Sequence, residues 1–600
     1  MRKIFIILLC LLSIQLSATI YYVSPTGNDA SADPTNIATP WRTWNYAFNH
    51  TTSSDTCYFR GGVYTGMYSA SYGVLVNSAS MNGTYSNPTC FFAYPADWAA
   101  GNYPVLDCQS LTTLSASNLC VGILVSHCSN IYFKGLTVRN VPQVSNIYTS
   151  QGWLFFSWGS SEIYIPNNIR FENCVAHNTG GGGFSMSETD TTYFINCDVY
   201  NCCDSLTCVS GGYCDPGGDG TGFGIFGVRP NAYTYMKGCR AWQCSDQGWA
   251  VSRAGTTVLD SCWSIHNGDM PFAENLVTKG SGFKVSYVNN SQRNLSRTQL
   301  IMHNCIAAYN EHIGINWTDQ GESEMPEIRA HIYNNFIYGN HYDVGKPGGH
   351  FGWGIGDFDA HTDTTNRWDH WYWNNISYNN LGYPDADPGD AIAGIHNEAT
   401  NKFDVIGTTI SNSDFESLDT AGMLGNRSRQ ADFSLPVTTF GHLSEGSECI
   451  NAGTDVGLDY IGDAPDIGWF EYDSEEDPPP TTPLISTTIP THINVRTSIS
   501  GGTVTSDGGA AVTERGICWS TSANPTTSNS KITSGTGEGA FTITITGLLS
   551  NTTYHVRAYA INSEGTSYGA DEDFTTPKWT SAKYGVGLVV NSSGKIIVIK

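Results

Sequence analysis

Six hundred residues with 40% hydrophobic content exceed one small domain and are too apolar for wholesale disorder. A net charge of −25 sets nucleic acid aside as a partner, because phosphate binding needs a basic face. With 64 glycines and only 14% charged residues, the composition suits many short strands joined by tight turns.

The chain opens with Met1-Arg-Lys3, the apolar run Ile4–Leu16 and Ser17-Ala18, the three regions of a secretory signal, assigned here to residues 1–18. No later run reaches the roughly 18 apolar residues of a membrane span, so an exported, soluble monomer without a membrane span is expected. Residues 19–67 read as a strand, a short amphipathic helix around 41–49 and a second strand. Such a cap covers the open end of stacked strands, which otherwise invites edge pairing.

A short phrase then recurs: Leu136-Thr-Val138-Arg-Asn140, Cys174-Val-Ala176-His-Asn178, Cys197-Asp-Val199-Tyr-Asn201, Cys239-Arg-Ala241-Trp-Gln243, Cys262-Trp-Ser264-Ile-His266-Asn267, Cys305-Ile-Ala307-Ala-Tyr-Asn310 and Phe336-Ile-Tyr338-Gly-Asn340. Its cysteines are spaced 23, 42, 23 and 43 residues apart, read as one or two multiples of a coil of roughly 21–23 residues. The period of 2 turns Cys and Ala inward, and the polar terminator marks a corner. The expected fold is all-β, a parallel β-helix with coils from about 70 to 400 and a segment near 412–472 closing its far end. This body spans 19–472.

Export permits disulfides. Outside the leader 17 cysteines remain, the repeat copies being read as small buried hydrophobes. The cluster Cys197, Cys202, Cys203, Cys208 and Cys214 is a candidate for one or two bridges. Zinc is disfavoured there because no CxxC pair exists. Residues 473–483 form an acidic, Pro-rich linker. Residues 484–577 alternate as a β-sandwich, and Leu548-Leu-Ser-Asn-Thr-Thr-Tyr554 resembles the tyrosine corner of fibronectin type III domains. Residues 578–600 read as a tail or hairpin.

Two central segments carry the chemistry: Gly238-Cys-Arg-Ala-Trp242-Gln-Cys-Ser-Asp246-Gln-Gly-Trp249-Ala250 and Gly280-Ser-Gly-Phe283-Lys284. With Asp219-Gly-Thr-Gly-Phe223 upstream, their order and spacing resemble the family 9 polysaccharide lyases, right-handed parallel β-helix enzymes that cleave pectic polymers with calcium. The resemblance implies β-elimination on an anionic, uronate-containing polysaccharide. It makes Lys284 the base that removes the C5 proton, and it places Asp219, Asp246 and Gln247 near any calcium ion. Gln247 and Ala250 stand where the family carries aspartates, so the metal site implied here is of low charge. The alternation Phe283, Val285, Tyr287 leaves Lys284 and Ser286 on the groove side.

Arg253 is a candidate to neutralise the uronate, and Trp249, with Trp242 and Trp263, to stack on sugar rings. Residues 229–297 hold eight basic and four acidic side chains, read either as a basic cleft or as a solvated cluster. Two further functions stay open: a non-catalytic glycan-binding β-helix, and an inverting glycosidase, which needs carboxylates across one groove.

Overall fold

The structure, a computed structural model, describes residues 18–30, 33–65, 74–76, 79–111, 120–143, 150–155, 165–187, 189–205, 208–209, 213–214, 220–226, 232–252, 255–269, 280–286, 298–318, 328–340, 355–357, 368–380, 391–392, 397–399, 402–403, 410–420, 423, 429–430, 433–473, 481–508, 510–579, 587–590, 593 and 596–599. The signal assignment at 1–18 lies almost wholly outside them, and none of the described helices is long and apolar enough to cross a membrane. The chain divides into two compact units at Tyr472 and Asp473.

The first unit is the expected parallel β-helix. Among the described residues its three parallel sheets hold 12, 11 and 10 strands. Each coil gives one strand to each sheet in turn, as in Tyr233–Lys237, Arg240–Cys244 and Gln247–Ser252. The next coil supplies Thr256–Asp260, Trp263–Ile265 and Ser281–Ser286.

The period of 2 sends alternate side chains into the bore. In the first sheet Phe91, Phe133, Phe171 and Phe194 are register partners whose rings stack 5.0–5.6 Å apart. In the second, Ala176, Val199, Ala241, Ser264, Ala307 and Ile337 line up coil on coil. The repeat cysteines 174, 197, 239, 262 and 305 are fully buried beside them.

Asp198 pairs with Arg240, and Trp263 with Ile306, so the 42- and 43-residue spacings are each one coil and not two. The extra residues fall between the second and third strands of those coils and, in the second of them, also between Ser281–Ser286 and the next coil's Thr298–His303. The reading of Phe336 as a repeat start also shifts by one. Ile337 takes the alanine position, and Asn335 takes the cysteine position, its Oδ1 accepting the Cys305 N–H at 2.9 Å.

The polar terminator proves to be two different rows. Asn140, Asn178 and Asn201 occupy left-handed corners, with φ of 54–55°, and bridge one another by side-chain amides at 3.0–3.1 Å. Asn267, Asn310, Asn340 and Asn380 instead point inward. Asn310, Asn340 and Asn380 each accept, through Oδ1, the backbone N–H of the asparagine one coil earlier at 2.9–3.2 Å, and Asn267 accepts that of Cys244 at 3.1 Å. Buried amides persist only when bonded in this way.

At the N-terminal end the helix Trp44–His50, capped by the Thr43 hydroxyl, buries Trp44, Ala47 and Phe48 over the first coils. The segment 410–472 does not simply close the far end. Its described residues lie along the outer face of the second sheet, where Phe415 and Phe440 meet Phe336 at 5.2 and 5.4 Å and Phe433 reaches Trp98 at 4.6 Å. Outward residues Trp263, Ile265, Ile306 and Ile376 need this cover, and together with the segment they form a second hydrophobic cluster. Arg429 ties it down through Asp198, at 2.6 Å.

Cys197, Cys202 and Cys203 are free thiols, which corrects the disulfide reading for that part of the cluster. Cys208 and Cys214 are opposite one another in a two-stranded antiparallel pair.

The second unit stacks two antiparallel sheets around Ile517, Phe541, Ile543, Val556 and Phe574. The Leu549 N–H donates to the Tyr554 hydroxyl at 3.0 Å, the hydrogen bond of a tyrosine corner. Strands Gly587–Val590 and Ile596–Ile599 pair as a hairpin.

Candidate active site on the third sheet

The third sheet has its own repeat: glycine, a large apolar residue, then an outward residue. It reads Gly152-Trp-Leu154, Gly183-Phe-Ser185, Gly222-Phe-Gly224, Gly248-Trp-Ala250, Gly282-Phe-Lys284 and Gly314-Ile-Asn316. The glycine is required where a Cβ would strike the second sheet or the neighbouring strand of the third. A Cβ on Gly248 would lie 2.2 Å from Ser264 Oγ, and one on Gly282 2.4 Å from the Gly314 carbonyl oxygen. The large residue fills the bore: Phe184, Phe223, Trp249 and Phe283 stack at 5.5, 5.1 and 4.7 Å.

Trp249 is therefore 0% exposed, wedged between Phe223 and Phe283, and is unavailable to a sugar. This corrects its candidate role: in a Gly-Trp pair of this repeat the indole packs the core. Trp263 is likewise buried, against Trp469 of the covering segment, and Trp242 is 4% exposed, stacked on Tyr200 at 4.5 Å.

The outward residues form one row across the strands, Ser185, Gly224, Ala250, Lys284, Asn316 and Gly356, each the register partner of the next. Lys284 is the long side chain of this row. Phe283 and Val285 on either side are buried, and Lys284 is half-buried. Among the described residues no carboxylate pairs with it, whereas Arg60, Lys134, Arg139, Arg170, Lys237, Arg240 and Arg429 each hold one. Lys284 thus emerges beside buried neighbours, Ala250 and Asn316 at 2% and 3% exposure, while the Phe226 ring lies over Gly224.

Asn316, beside Lys284, was not singled out by the sequence. It is 3% exposed, and its Oδ1 has no hydrogen-bond partner among the described residues. The Gly-apolar-X repeat of the third sheet is the signal that finds it.

Asp246 and Gln247 sit one strand from Lys284, Gln247 pairing in register with Ser281. They are 4% and 5% exposed. Gln247 Nε2 donates to Thr221 Oγ1 at 3.0 Å, while its Oε1 is buried without a hydrogen-bond partner among the described residues. A carboxylate followed by an orphaned amide oxygen is a donor set that suits a hard cation such as calcium. Among the described residues no cluster of three or more His, Cys, Asp or Glu side chains forms a metal site. Asp219 and Arg253 lie outside the described residues.

Of the eight basic residues in 229–297, Lys237, Arg240 and Lys284 are among the described residues, and they stand on three different sheets. Arg240 is buried in the second sheet against Asp198 at 2.7 Å, and Lys237 pairs with Asp260 on the first. Lys284 alone of these three faces the third-sheet groove.

Residues 21–366 match the family model described as Pel9A-like, right handed beta helix region. Pectate lyase L of Dickeya dadantii (strain 3937) is 28% identical over 316 residues, 51% of this chain and 62% of that protein, so the match spans under two thirds of its length. The crystal structure of pectate lyase Pel9A superposes with a TM-score of 0.53 at 23% identity, covering 76% of this chain and 98% of that one, a likeness of fold. The chain belongs to the Pel9A-like right-handed β-helix family, of the family 9 polysaccharide-lyase type.

Proposed function

We propose that this chain is a secreted lyase that cleaves a uronate-containing polysaccharide by β-elimination, with Lys284 as the base. The observation that carries the reading is the placement of Lys284: outward, half-buried, and without an acidic partner among the described residues. A general base must reach the substrate proton rather than be engaged in an ion pair, and no carboxylate among the described residues engages Lys284. The name of the relative, a pectate lyase, favours an acidic pectic polymer as substrate.

In the reaction the neutral amine of Lys284 takes the proton from C5, next to the uronate carboxylate. The electron pair left on C5 forms the C4–C5 double bond as the C4–oxygen bond breaks, and the departing oxygen takes a proton from solvent water. Asp246 and Gln247, with Asp219 upstream, are the residues that would hold calcium, which supplies a counter-charge to the substrate carboxylate. Arg253 remains a candidate for the same neutralisation.

The test is incubation with a panel of uronate polymers, with and without chelator, monitoring the ultraviolet absorbance of the unsaturated 4,5 product. Rising absorbance on at least one uronan supports the reading. Silence on every uronan, with retained glycan binding, replaces it with a non-catalytic glycan-binding β-helix.

A further inference from the structure

Away from Lys284, the first sheet carries a cleft of about 510 Å³ on its outer face. Its floor is one register row: Tyr132, Arg170, Tyr193 and Tyr235 are successive partners on neighbouring strands. Tyr85, 81% exposed, stands at its edge. Strands in such a sheet are ~4.8 Å apart, so Tyr193 and Tyr235 stand about one pyranose ring apart, with Arg170 between Tyr193 and Tyr132. The Arg170 guanidinium lies over the Tyr132 ring at 4.6 Å and is paired with Glu172 at 2.8 Å, its side chain 47% exposed and the carboxylate 17%.

The charges beside this row are layered. Lys134 and Lys237, one row over, have side chains 43% and 54% exposed, whereas their partners Glu172 and Asp260 are only 17% and 11% exposed. The carboxylates sit low in the sheet and the cations stand above them. In a chain of net charge −25, this face turns positive charge outward.

We propose that this cleft is a second saccharide site that binds a run of acidic polysaccharide on a different sheet from Lys284. Tyrosine faces receive the C–H faces of sugar rings, while a guanidinium and two ammonium groups meet carboxylates, a combination that a neutral glycan does not call on. Holding the polymer at a second point raises its effective concentration at the groove. The inference shares with the proposed function only the class of polymer.

The experiment is affinity electrophoresis of the full chain through gels containing polygalacturonate, in a Lys284→Ala background so that the polymer stays intact. Tyr193→Ala and Arg170→Gln are each expected to weaken retardation about five- to tenfold, the size of one lost aromatic or charge-assisted contact. Circular dichroism of each variant confirms folding, and Tyr193→Phe, which keeps the ring, is expected to bind as the parent does. Tyr193→Ala in the otherwise native chain should leave elimination of a short oligogalacturonide unchanged. Retardation unaffected by both substitutions, or equal retardation in a neutral galactan gel, overturns the inference. Tyr193-dependent retardation in a protein that eliminates no uronan sustains this site while removing the lyase reading.

Discussion

The indole of Trp249 stacks on the ring of Phe283 with centroids 4.7 Å apart, and the residues that follow them, Ala250 and Lys284, are register partners on the opposite face of the sheet. The aromatic column in the bore thereby fixes the strand positions that aim the lysine. Structure and chemistry alternate residue by residue along Gly282-Phe283-Lys284.

Trp249→Ala should therefore act as a core truncation, destabilising the first unit by about 3–5 kcal/mol. Thermal unfolding followed by circular dichroism measures this. Trp249→Phe, milder in volume, should bind polysaccharide as the native chain does. Loss of binding in a Trp249→Phe protein of unchanged stability would place the indole in the groove instead.

Asp198 holds two guanidiniums, Arg240 at 2.7 Å and Arg429 at 2.6 Å. Burial alone would raise its pKa, but the charges of Arg429 and Arg240 bring it down to about 2. A depressed carboxylate stabilises the fold above its unfolded value near 4, and that stability is lost as the pH falls through about 2. The native chain should accordingly lose stability between about pH 4 and pH 2, and Asp198→Asn should flatten that part of the profile. Arg429→Ala should lower the unfolding temperature and expose the 410–472 segment to limited proteolysis, while a segment as resistant as before would show that the ion pair does not hold it.

In the inner amide row, Asn310 accepts both the backbone and side-chain N–H of Asn267, at 3.2 and 2.9 Å. Asn310→Ala leaves these donors buried and unbonded, at a cost of about 1–3 kcal/mol for each unsatisfied group. Denaturant unfolding should show a larger loss for Asn310→Ala than for Asn178→Ala at the exposed corner. Equal losses would contradict the assignment of two distinct asparagine rows.

Gln247→Asp puts a carboxylate where an amide oxygen now stands, and calcium affinity rises with the number of charged ligands. Calorimetric titration of calcium should give a lower Kd for Gln247→Asp than for the native chain, and a higher one for Asp246→Ala. Indifference of calcium binding to both substitutions would remove these residues from any metal site.

The solenoid was legible because its period is local. Cys174, Ala176 and their copies alternate within five residues, and each coil repeats the pattern. The insertions were not legible, since a 42-residue gap between Cys197 and Cys239 fits two plain coils as well as one enlarged coil. The two asparagine rows were merged because Asn201 and Asn267 differ by one position in the phrase, and only the corner φ separates an outward from an inward amide. The outward turn of Lys284 followed directly from buried Phe283 and Val285. Trp249 was misread because its burial depends on Phe223 and Phe283 in other coils. The covering segment is beyond any local pattern, since Arg429 meets Asp198 across 231 residues of sequence.

The measurement that bears most directly on Lys284 as base is the initial rate of unsaturated-product formation by the native chain, Lys284→Ala and Lys284→Arg, on the uronan that gives the highest native rate. Proton transfer by a positioned base is worth about 10²–10⁴ in rate, so both variants should fall by at least that factor while retaining polysaccharide binding. Equal rates in native and Lys284→Ala protein would contradict the account.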